Sequence, residues 1–199
     1  MTIPKKMKEK LKQNRDYRNF ASFEIRADEE NEELFVEGKA CSFDDPTVLY
    51  SFNGIDYKEQ IDSRAFEDAE MEDVIFNYNH GGKVVARTRN DTLELNVKED
   101  GLYVKAKLDG TEEGRKLYEE IKGGYIDKMS FAFSVQEDSY DTDEHLRTVR
   151  KVKRLYDVSA VDIPAYDSTS VAARSFEKLE KEKEKLKRKK RKVKLLTKI

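Results

Sequence analysis

The chain has a single cysteine, two histidines and no long apolar run. A lone Cys41 excludes an internal disulfide and suits a reducing compartment. With His80 and His145 far apart in the sequence, no zinc-ligand spacing exists. No apolar stretch approaches the roughly 20 residues that a membrane span needs. No signal-peptide core follows the basic start Lys5-Lys6-Met7-Lys8, so no membrane role is expected. The glycines form neither a phosphate loop nor a dinucleotide-binding pattern. The carboxylates are too scattered to single out a glycosidase pair, and no internal repeat is visible.

What is abundant is charge. Charged residues make up 40% of the chain and apolar residues 37%, so the core must be concentrated in part of it. At 199 residues the chain fits one domain plus extensions. The aromatic and β-branched residues concentrate between residues 18 and 175, where the folded domain is expected. Residues 1–17 form a polar, basic extension. Phe176 to Ile199 carry 12 Lys/Arg against 4 Glu, a surplus of +8, which leaves 27 basic and 37 acidic residues, or −10, elsewhere. Residues 176–199 thus read as a basic helical or disordered tail, with Leu179, Leu186, Val193 and Leu196 as a weak apolar seam. A basic run such as Lys187 to Lys192 can make weak, sequence-independent contact with nucleic acid.

Strand signals dominate the middle. Phe20 to Ile25 and Leu34 to Phe43 predict two strands, the second ended by Asp44-Asp45-Pro46. Ile61 to Phe66 predicts a loop leading into a short helix near Glu67 to Ala69, with Ser63 as its cap. Leu93, Leu95 and Val97, then Leu102, Val104, Ala106 and Leu108, alternate with polar residues around Asp100-Gly101, which predicts an antiparallel hairpin. A helix follows, capped by Asp109 or Thr111, with Leu117 and Ile121 on one face and Gly123-Gly124 as its stop. Tyr125 to Val135 predicts a strand, with Met129, Phe131 and Phe133 on one face and Ser130, Ala132 and Ser134 on the other. Residues 136–147 are acidic and turn-like, and Val152 to Val161 predicts the last strand. Together these predict a mostly β domain with packed helices, arranged as an antiparallel β-barrel that protects strand edges.

Three residues carry the chemistry. His80 ends the apolar run Val74 to Tyr78, just before Gly81-Gly82, where a strand opens into a turn; active-site groups favour such positions. Ser130 lies on a face of small side chains. It matters chemically only if a base reaches it, and otherwise merely bonds to backbone. Asp157 is a carboxylate in the apolar strand Leu155 to Val161, which is costly unless paired. It could orient a histidine base, or simply face solvent. His145 is a rival third member, although its acidic loop reads as solvated surface.

In the order His80, Ser130, Asp157, the chain resembles the caudovirus prohead protease family, the capsid maturation serine proteases of tailed phages. The resemblance rests on Glu37-Gly38-Lys39-Ala40, Ile61 to Phe66, Asn79-His80, Gly101 to Leu108, and Thr111, Gly114, Leu117-Tyr118 and Ile121. Met129-Ser130-Phe131 and Asp157 to Val161 with Pro164-Ala165 complete it. Ala132 stands where a glycine is common. The resemblance spans roughly residues 18 to 175.

It implies a β-barrel of the herpesvirus assemblin type and a serine endopeptidase with His80, Ser130 and Asp157 as catalytic residues and no cofactor. Asp157 occupies the position of a second histidine in the herpesvirus relatives. The implied substrates and partners are the major capsid protein, the scaffold and the chain itself, inside the assembling prohead in the host cytoplasm. Oxyanion donors are sought in the turn Ile163 to Tyr166. The competing reading is a non-catalytic capsid assembly or scaffolding factor.

Overall fold

The computed structural model describes residues 16–28, 33–162 and 188. Ten strands account for most of them. They are β1 (Asp16–Asp28), β2 (Glu33–Ser42), β3 (Thr47–Phe52), β4 (Ile55–Ile61), β5 (Ile75–Tyr78), β6 (Gly81–Arg87), β7 (Leu93–Lys98), β8 (Gly101–Lys107), β9 (Lys128–Asp141) and β10 (Leu146–Val161). A helix, α1 (Glu112–Lys122), lies between β8 and β9. Strands pair in the order β3-β4-β10-β9-β1-β2-β8-β7, with β5 added beside β10 and β6 beside β5.

Alternation of side chains explains the predicted hairpin. Leu102, Val104 and Ala106 of β8 are buried, and Lys98 pairs with Gly101 across the turn. Thr111 caps α1, its Oγ1 accepting the Gly114 N–H at 2.9 Å. Gly124 follows the helix at φ +73°. Leu117, Tyr118 and Ile121 press into the core beside Phe66, Phe76, Phe131, Phe133 and Leu155. Burial of this kind is worth about 1.5–3 kcal/mol per large apolar side chain.

Long strands organise the fold. β1 pairs with β9 through its first half and with β2 through its second, and its register shifts between Phe20 and Ser22. A bulged strand of this kind carries the chain from one sheet to another. β10 pairs with β9 along its length. Its other edge takes β4 at Leu146 to Val149 and β5 at Asp157 to Ala160, both in parallel. Between them, residues 62–74 run along the middle of β10, where Val152 N–H donates to Ala65 O at 2.8 Å and Leu155 N–H to Glu70 O at 3.1 Å.

Several expectations need correction. The sheet is not purely antiparallel, and the described strands do not close a barrel: β3 and β7 each end the pairing path. Bulges and the branch at β10 turn the sheet without sealing it. Glu67 to Ala69 is not helical; successive turns run from Ser63 to Asp68, and Asp62, not Ser63, caps them by accepting the Arg64 N–H at 2.9 Å. Residues 136–147 are largely strand, because β9 and β10 form one long hairpin. The β3–β4 hairpin, signalled by Asn53-Gly54, and strand β6 were not anticipated. The expected extension 1–17 overlaps β1 at Asp16 and Tyr17, and its remainder lies outside the described residues, as does the tail 176–199 apart from Arg188. Among the described residues, no helix is long and apolar enough to cross a membrane.

Candidate active site

The site forms where three strands run side by side. Ser159 of β10 pairs with Ser130 of β9 on one side and with Asn77 of β5 on the other. Asp157 pairs with Ala132. Residues opposite one another share a sheet face, so Asp157, Ser159, Ser130, Ala132 and Asn77 all project to one side.

A bulge makes that possible. Leu155 pairs with Phe133, but Asp157 pairs with Ala132, so one extra residue sits in β10 between the two pairs. Without it, strict alternation would place Leu155 and Asp157 on the same face. With it, Leu155 and Val158 both enter the core, and Asp157 and Ser159 turn toward Ser130.

His80 arrives from the β5–β6 turn. Tyr78 pairs with Gly81, and the residues between them, Asn79 and His80, have φ of +48° and +53°. Two left-handed residues make a tight hairpin turn, and Asn and His tolerate that region better than most side chains. The turn is anchored to β10 at several points. Asn79 N–H donates to Ala160 O at 2.9 Å. His80 N–H donates to Ser159 Oγ at 3.2 Å. Asp162 accepts from Tyr78 Oη at 2.6 Å and from Asn79 Nδ2 at 2.9 Å. That bond to Asp162 also holds the Tyr78 phenol above its usual pKa.

The three expected residues meet. His80 Nδ1 lies 2.5 Å from Asp157 Oδ1, and His80 Nε2 lies 2.7 Å from Ser130 Oγ. Asp157 is 3% exposed and Ser130 fully buried. A carboxylate only accepts, so Asp157 takes the Nδ1–H, which leaves the Nε2 lone pair facing the Ser130 hydroxyl. Such a line can draw a proton from Ser130 toward the ring while a carboxylate steadies the resulting charge.

His145 does not join them. It sits in the β9–β10 turn at φ +49°, within 3.1 Å of Tyr140 Oη and with its ring tilted against that of Tyr57. The long hairpin places it at the β4 end of β10, away from the stretch that pairs with β5, so it does not stand as the third member. The turn Ile163 to Tyr166 lies outside the described residues. Cys41 is buried, and burial pushes its thiol pKa up, which makes it an inert core residue. The sequence reading passed over Ser159, Asn77 and Asp162. Parity could have found Ser159, since it stands two residues from Asp157 on the same strand.

No curated protein sequence matches the chain. Among solved structures it is similar to the capsid assembly protease of bacteriophage T4, at 17% identity and a TM-score of 0.46, over 73% of this chain and 98% of that one. The caudovirus prohead serine protease family matches residues 21–184. With most of its length inside that match, the chain belongs to the caudovirus prohead serine proteases.

Proposed function

We propose that the chain is a serine endopeptidase in which Ser130 is the nucleophile, His80 the general base and Asp157 the residue that orients and stabilises His80. Its substrates are scaffold and capsid-protein segments and the chain's own termini, cut inside the phage prohead. Membership of the prohead serine proteases supports a maturation role. The observation that carries the residue assignment is the continuous hydrogen-bonded line from Asp157 through His80 to Ser130.

The chemistry follows from that line. His80 Nε2 accepts the Ser130 proton as Oγ attacks the scissile carbonyl. The imidazolium, held by Asp157, then delivers the proton to the leaving amine. Water repeats the cycle on the acyl-enzyme, and His80 again takes and returns the proton. No cofactor is needed.

The test uses the purified full chain and a fluorophosphonate. Stoichiometric labelling at Ser130, together with self-cleavage that Ser130→Ala abolishes, is the expected result. Equal cleavage by Ser130→Ala removes the nucleophile assignment. An unlabelled, uncleaved chain, both free and in assembled proheads, leaves the scaffolding-factor reading.

A further inference from the structure

We propose that Ser159 is a positioning residue for His80 and Asp157, a role that rests on the reading of Ser130, His80 and Asp157 given above. Ser159 is fully buried and lies on the site face of β10 between the base and its carboxylate. Its Oγ accepts the backbone N–H of His80 at 3.2 Å, donates to Asp157 Oδ1 at 2.9 Å, and lies 3.2 Å from His80 Nδ1. It also bonds to the Asn77 side-chain amide.

One hydroxyl carries one proton, so Ser159 cannot donate to both Asn77 and Asp157. The ionised carboxylate is the stronger acceptor. The consistent arrangement has the Asn77 amide turned so that its NH2 donates to Ser159. Ser159 Oγ then receives two protons, from Asn77 and from the His80 backbone, and gives its own to Asp157 Oδ1. That same Oδ1 receives His80 Nδ1–H.

Two consequences follow. The left-handed backbone of His80, at φ +53°, costs energy that its N–H bond to Ser159 offsets. The carboxylate is also held in rotation by a second donor, so the imidazole plane and the Nε2 direction toward Ser130 are set by a side chain that never meets the peptide. Ser159 therefore acts on nucleophile activation and leaves substrate affinity alone.

The experiment compares second-order rates of fluorophosphonate labelling at Ser130 in the full chain. Ser159→Ala is expected to label about tenfold more slowly, the loss of one positioning hydrogen bond. In a His80→Ala background the same substitution is expected to change nothing further, whereas a merely structural serine lowers both rates alike. A Ser159→Ala rate within twofold of the unaltered chain, or a further loss in the His80→Ala background, overturns the proposal. Amide exchange in the unaltered chain gives a second reading if Ser159→Ala does not fold. The His80 N–H, although in a turn, is expected to be protected about a hundredfold; an unprotected amide overturns the proposal. Persistent labelling of Ser130→Ala at another residue overturns the underlying active-site reading instead.

Discussion

Replacing Asp157 by Asn separates charge from shape at the heart of the site. The side chains are nearly isosteric, so the buried strand around position 157 is expected to keep its pairing. What is lost is a negative charge 2.5 Å from His80 Nδ1. When the base takes the Ser130 proton, the imidazolium charge and the carboxylate charge lie about 4 Å apart between centres, an attraction of about 4 kcal/mol at an effective dielectric of about 20. At 1.36 kcal/mol per decade, that predicts about a thousandfold fall in rate. The fall deepens if the amide NH2 faces Nδ1, because the ring must then carry its proton on Nε2, toward Ser130. The assay is fluorophosphonate labelling of Ser130, followed by intact mass. A labelling rate for Asp157→Asn within about tenfold of the unaltered chain would refute the argument, because so small a loss is no more than one ordinary hydrogen bond.

Three further predictions concern the scaffold. Gly114→Ala should lower Tm: a Cβ there would lie 2.3 Å from Leu108 O, and the cost of about 1–3 kcal/mol outweighs a helix-propensity gain of about 1 kcal/mol. Arg147 is 6% exposed and bonds to buried Glu59 at 2.9 Å and to Asp138 at 2.7 Å. Arg147→Met should therefore cost about 3–5 kcal/mol in denaturant unfolding, and Arg147→Met with Glu59→Gln should recover part of it. Asp73, held by Arg87 at 2.6 and 2.9 Å, has its carboxyl below the usual aspartate pKa because of that bond. A depressed carboxylate contributes stability that is complete above its unfolded pKa and fades as pH falls through the folded value. Asp73→Asn should thus be less stable than the unaltered chain at neutral pH, and the gap should close in acid urea titrations.

Elements set by local pattern were legible in the chain. The β7–β8 hairpin follows from period-2 alternation around Asp100-Gly101, and α1 follows from Thr111 and the Leu117–Ile121 spacing. Both depend on residues close in sequence, so nothing distant can overrule them cheaply. The extent of β9 and β10 was missed because acidic residues such as Glu137, Asp138 and Asp141 signal a solvated turn. There the long hairpin keeps pairing regardless, and Arg147 neutralises Asp138 from the facing strand. The closed barrel was over-read, since the need to protect strand edges does not say how they are protected. Here the edge of β10 is covered by β4, residues 62–74 and β5 in succession.

By itself the sequence determined a mostly β chain, the order His80, Ser130, Asp157 and the small-residue face that carries Ser130. It left the direction of Asp157 open, because alternation gives a face only while the register is unbroken. The tertiary structure decided it. One extra residue between Leu155 and Asp157, accommodated by pairing with β9, turns the carboxylate from the core face to the face of Ser130. Parallel pairing of β5 with the same stretch of β10 then brings the His80 turn over it. The contacts of Asp157 with His80 and with Ala132 join residues 77 and 25 positions apart, and such distances are set by strand pairing across the whole fold, which no local run of residues encodes.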